Sequence, residues 1–142
     1  MTTATVKFRI TRSGHVVVSA VIAGCKVRLV VDTAAGTSVL DVAAVNELGL
    51  KTRRNSERRD VKGIGTSQHV MQRLIVPSIV LGRREFVRPR FISLDLTHVK
   101  EVGGKRGMHG LLGGDFLKKH DAVIDYASRI ITLRTTTPDM PL

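Results

Sequence analysis

The stretch Leu29-Val30-Val31-Asp32-Thr33-Ala34-Ala35-Gly36-Thr37-Ser38-Val39-Leu40 constrains this chain most, because it sets a single carboxylate between two apolar runs. A bare charge at the end of a buried strand is costly unless donors or a partner stabilise it. The small residues after Asp32 therefore have to turn backbone N–H groups towards it. Either this is a site of chemistry or it is a tightly capped turn.

The flanking sequence predicts how Asp32 is delivered. Val6, Phe8 and Ile10 alternate with polar residues, Val16 to Ile22 is rich in β-branched residues, and Lys26 to Val31 continues the pattern. Ser13-Gly14 and Ala23-Gly24 separate these segments as turns, giving a meander whose third strand ends at Asp32. Thr37 to Leu40 reads as a short strand and Asp41 to Leu48 as a helix, with Asp41 as N-cap, Val45 and Leu48 on one face, and Gly49 as the left-handed stop. Leu74–Val76, Ile79–Leu81 and Phe86–Leu94 read as strands, and Asp95 to His109, with Gly103, Gly104 and Gly107, as a mobile surface loop.

A second informative stretch is Gly110-Leu111-Leu112-Gly113-Gly114-Asp115-Phe116-Leu117, followed by two apolar strands within Ala122 to Leu133. Together with Asp32-Thr33-Ala34-Ala35-Gly36, it resembles the retropepsin-like aspartic proteases, the single-domain, retroviral-type family, over roughly Val16 to Leu133. The resemblance implies an all-β fold, a closed β-barrel with one or two short helices acting as a homodimer. Leu111, Leu112 and Gly113 would cross behind the Asp32 loop, Gly114 to His120 would form a helix and Ala122 to Leu133 the final hairpin. It also implies that Val61 to Ser67 is the flap, so that Gly63, Ile64 and Gly65 join Ala34, Ala35 and Gly36 in contacting bound peptide. By itself, that glycine pair reads as an ordinary β-turn; its position after the Asp32 loop and the helix is what raises the flap.

Peptide hydrolysis of this type needs two carboxylates sharing a proton, one activating water and the other polarising the scissile carbonyl. The chain has one Asp-Thr motif, and Asp60, Asp95, Asp115 and Asp125 lack that context, so the second carboxylate is expected from Asp32 of another copy. Thr33 is expected, by resemblance, to interlock with its mate beneath the pair. No metal or cofactor is required, and His15, His69, His98, His109 and His120 show no metal-site spacing. The family's usual Gly is replaced by Ala34. A methyl there is harmless if φ is negative and Cβ points into space, and damaging if it crowds the carboxylates.

The chain has 142 residues, 42% of them hydrophobic, which suits one domain spanning 1–142. Its 23 Lys+Arg against 12 Asp+Glu give a formal charge of +11, attractive to acidic peptide, nucleic acid or anionic membrane alike. The run Lys51 to Asp60, with Arg53, Arg54, Arg58 and Arg59, reads as an exposed loop, either a solvated surface or a rim for acidic substrate or RNA. Four Phe, one Tyr and no Trp give few stacking platforms, so nucleic acid is the weaker expectation. One cysteine excludes an intrachain disulfide, and no apolar run nears the roughly 20 residues of a spanning helix. With no signal peptide visible, a cytoplasmic protein is expected. The leading expectation is an endopeptidase acting on peptide or protein, acidic segments included. The alternative is a noncatalytic dimerisation or peptide-binding module on the same fold.

Overall fold

A computed structural model describes residues 2–53 and 71–135. In chain order it contains β1 (Thr2–Lys7), β2 (Arg9–Ile10), β3 (Val16–Ile22), β4 (Cys25–Asp32), β5 (Val39–Asp41), α1 (Val42–Leu48), β6 (Lys51–Thr52), β7 (Gln72–Ile75), β8 (Ser78–Leu81), β9 (Arg84–Val87) and β10 (Ile92–Leu94). A 3-10 helix (Thr97–Gly103), β11 (Gly110–Gly113), α2 (Gly114–Lys119), β12 (Val123–Asp125) and β13 (Ile130–Thr135) complete it.

The meander forms as the alternation dictates. β3 and β4 pair antiparallel from Ile22↔Cys25 to Val16↔Val31, around a turn in which Ala23 and Gly24 both take positive φ. β11 runs parallel to β4, from Gly110↔Leu29 to Gly113↔Asp32, and antiparallel to β5. This is the crossing expected for Leu111, Leu112 and Gly113. α1 ends at Gly49, whose φ of 68° is the left-handed stop read from the sequence.

The expected closed barrel is not formed. Among the described residues the strands make two open sheets, one of order β1-β13-β12 and one of order β6-β7-β10-β5-β11-β4-β3-β8-β9, with β2 added against β3. β1 spends its ladder on β13, from Thr2↔Thr135 to Lys7↔Ile130, and β6 and β9 stay at opposite ends of the larger sheet.

Three local readings are also corrected. The single strand expected over Phe86–Leu94 is two, because Arg88 adopts φ 48° and Pro89 cannot donate to a ladder. The segment 95–109 carries a 3-10 helix, anchored where Lys100 Nζ lies 3.0 Å from Asp41 Oδ2. Asp41 does not cap α1 with its side chain; its buried carboxylate instead accepts the Leu96 N–H at 2.8 Å and pairs with Lys100.

Alternate residues of β3 and β4 divide between two apolar clusters. Val16, Val18, Val27 and Leu29 join the larger, with Phe86, Phe116 and Leu133, while Val17 and Val30 join a smaller one with Val39, Ile92, Leu96 and Leu111. Burying each such side chain contributes roughly 1.5–3 kcal/mol, so the strand carrying Asp32 is held from both faces. No described helix is long and apolar enough to cross a membrane.

Candidate active site

Asp32 closes β4, a central strand between β11 and β3, and its side chain is half-buried. The turn that follows folds back onto it. Ala34 N–H donates to Asp32 Oδ1 at 3.0 Å, Ala35 N–H donates to the Asp32 carbonyl at 3.1 Å, and Gly114 N–H donates to the Ala35 carbonyl at 2.7 Å. One donor to the carboxylate is thus supplied by the small residues themselves, the Ala34 N–H, while the other two bonds close the turn through backbone carbonyls. By the alternation of β4, Asp32 falls on the side of Val30, towards the smaller cluster, where Ala35, Met71, Val99 and Val102 are only partly buried.

A buried polar knot fixes the turn from behind. Ser38 is fully buried; its hydroxyl donates to Asp115 Oδ1 at 2.8 Å and accepts the Gly113 N–H at 2.9 Å. Asp115 also accepts the Ser38 N–H at 3.2 Å and the Phe116 N–H at 2.8 Å. Gly113 is required for this approach, since a Cβ there would lie 2.8 Å from the Ala35 carbonyl oxygen and 2.9 Å from that of Thr37.

Strand, turn and crossing thus form one unit, and a family description of aspartyl proteases matches residues 18–116, which contain all of it. The chain belongs to the aspartyl protease family. No curated protein sequence matches it. Among solved structures, this family member is similar to a retropepsin-like aspartic protease from Rickettsia conorii, with TM-score 0.59 and 20% identity, over 93% of this chain and 91% of the other. It is also similar to the retroviral protease-like domain of Ddi1 from Leishmania major (TM-score 0.60, 18% identity, 94% and 97% coverage). A third similar structure is the EIAV protease complexed with the inhibitor HBY-793 (TM-score 0.54, 20% identity, 78% and 92% coverage). At these identities the likeness shows a shared retropepsin-like fold.

In this aspartyl protease-family chain, Asp32, Thr33, Ala34, Ala35 and Gly36 lie together in one turn, with Thr33, Ala34 and Gly36 exposed. Gly63, Ile64 and Gly65 lie outside the described residues, as do Arg54, Arg58 and Arg59. Among the described residues the non-glycine positive φ angles belong to Ala23, Arg88, Asp121 and Arg129, so Ala34 is not in the left-handed region. Its backbone therefore satisfies the first condition under which a methyl is harmless.

Sequence reasoning missed two contributors. Ser38 and Asp115 lie 77 positions apart, and the pairing of β11 with β4 and β5 brings them together. No local signal marks either. Beside β4, His109 Nδ1 accepts the Arg28 N–H at 2.9 Å, and burial followed by the Arg28 charge lowers the His109 pKa.

Proposed function

We propose that the chain is an aspartic endopeptidase, a single domain that works as a homodimer with Asp32 of each copy forming the catalytic pair. One carboxylate, ionised, takes a proton from water as the water attacks the scissile carbonyl. The other, protonated, donates to the carbonyl oxygen; proton transfer to the amine then completes cleavage without a covalent intermediate. What supports the reading is Asp32 itself: an acid at the end of a central strand, held by the Ala34 N–H and facing Gly113 rather than a second acid on its parallel neighbour.

In this reading Thr33 braces the pair against its symmetry mate, and Ala34, Ala35 and Gly36 contact the peptide backbone. Met71, Val99 and Val102 offer apolar contact to its side chains. Gly63, Ile64 and Gly65 enter from the sequence alone as peptide-contacting residues. The test is mass-spectrometric cleavage of a peptide library by wild type and Asp32→Asn, alongside light scattering. Cleavage by the wild-type dimer, lost in an Asp32→Asn dimer, is expected. Peptide bound but never cut would favour the noncatalytic module, and persistent cleavage by Asp32→Asn would overturn the assignment.

A further inference from the structure

The surplus of positive charge has a focus on the far side of α2, where the chain leaves β9. The exposed side chains Arg88, Arg90 and Lys119 line a cavity of about 320 Å³ together with Phe86, Asp115 and His120. Across the Arg88-Pro89-Arg90 backbone, a second cavity of about 400 Å³ adds Arg73. Among the described residues no ion pair or hydrogen bond occupies the side chains of Arg73, Arg88, Arg90 or Lys119. The carboxylate at the first cavity is already engaged, since Asp115 takes the Ser38 hydroxyl and two N–H groups. His120 is held by the Arg134 carbonyl, 2.9 Å from its Nδ1, and packs on Phe116 and Phe86.

The backbone between the cavities is costly to build. Arg88 has φ 48°, where an L side chain is disfavoured, and is fixed by its N–H bond to the Pro77 carbonyl at 2.8 Å and by the buried Pro89 that follows. Packing alone would be served as well by glycine at that position, so an arginine there calls for a use of its charge.

The surroundings favour peptide over nucleic acid. Phe86 and Phe116, under the first cavity, are 2% and 4% exposed and present no free face for a base. Val87 and Ile75, beside the cations, are 55% and 51% exposed. β9 is an end strand of the larger sheet, with β8 as its only partner among the described strands, so its outer edge offers backbone groups to an extended chain.

We propose that Arg88, Arg90 and Lys119, with Arg73, form a binding site for an extended acidic segment of a protein substrate, separate from the Asp32 turn. The inference rests on the endopeptidase reading for the word substrate, but binding itself does not require hydrolysis. Carboxylates of the segment meet the guanidinium and ammonium groups, while its apolar side chains meet Val87 and Ile75.

The test is fluorescence anisotropy of a labelled ten-residue Glu/Val peptide, its Gln/Val counterpart and a single-stranded RNA ten-mer, using the Asp32→Asn chain. Arg88→Gly with Arg90→Ser removes two charges and relieves the positive φ; Lys7→Ser with Lys26→Ser removes two exposed charges elsewhere. Lys119→Ser serves as a second site variant. The acidic peptide is expected to bind best, to weaken about tenfold or more in the Arg88/Arg90 variant, and to change less than about twofold in the control. Equal loss in both double variants, or RNA binding more tightly than peptide at the same residues, would overturn the proposal. Acidic-peptide binding by Asp32→Asn, alongside a wild-type chain that cuts no peptide in the library, would remove the endopeptidase reading and leave the site standing. Cleavage with no preference for the acidic peptide in binding would do the reverse.

Discussion

Ser38 and Asp115, 77 positions apart, are joined by a 2.8 Å hydrogen bond from Ser38 Oγ to Asp115 Oδ1. Because the same hydroxyl accepts the Gly113 N–H at 2.9 Å, it links the segment after the Asp32 turn to both the crossing strand and the start of α2. Replacing Ser38 by Ala strands a buried N–H and removes a donor from Asp115, and should cost about 1–3 kcal/mol. Urea unfolding measures it, with Ser38→Thr as the variant that keeps a hydroxyl. A loss under about 0.5 kcal/mol in Ser38→Ala would mean that the knot contributes little beyond packing.

Two glycines of the same region should behave oppositely. A Cβ at Gly113 would press on the Ala35 and Thr37 backbone, whereas one at Gly36 would meet nothing within 4 Å. Gly113→Ala should destabilise by about 1–3 kcal/mol, and Gly36→Ala should be neutral or slightly stabilising. Thermal denaturation of the pair checks this, and similar midpoints would contradict the close approach of β11 to the turn.

Ala34 has the exposure and backbone angle that a methyl tolerates. Ala34→Gly should therefore lower stability by roughly 0.4–1 kcal/mol through added freedom in the unfolded chain. Turnover on any peptide the wild type cuts should stay unchanged. A well-folded Ala34→Gly chain with markedly higher turnover would show that the methyl crowds bound peptide.

Acid should weaken the fold in two separate windows. His109 and His120 both have pKa values lowered from the ordinary 6.5, chiefly by burial. The unfolded chain then binds protons first, so their contribution is full above pH 6.5 and is lost as pH falls below it towards the folded values. Asp125 is held below its ordinary 3.8, first by the Ser128 hydroxyl, and its contribution fades only at more acid pH. Urea midpoints of wild type against a His109→Gln/His120→Gln chain should differ in slope as pH falls below 6.5, and parallel curves there would count against the assignment.

Periodicity and turn chemistry made much of this fold legible. The alternation in Val16–Ile22 and Lys26–Val31, the Ala23-Gly24 turn and the Gly49 stop each depend on neighbours a few residues apart, so sequence carries them directly. Asp41 was misread for the converse reason. A cap-forming residue before a helix normally serves that helix, but here Leu96 and Lys100, distant in sequence, claim its carboxylate. The break at Arg88 was missed because apolar residues continue on both sides and a left-handed arginine has no local signature, although Pro89 was a local breaker signal.

The sequence by itself determined that Asp32 ends an apolar strand in a small-residue turn, because short-range hydrophobic pattern and glycine placement decide it, while the crossing of Leu111-Leu112-Gly113 nearby was legible only through resemblance to a known family. Tertiary structure alone decided which groups hold that turn. The parallel register Gly113↔Asp32 and the antiparallel register Leu111↔Val39 bring Asp115 to Ser38. It also left the larger sheet open, since β1 bonds to β13 instead. Hydrogen bonds between residues distant in sequence depend on strand register, which is set by the packing of the whole sheet and not by any local run of residues.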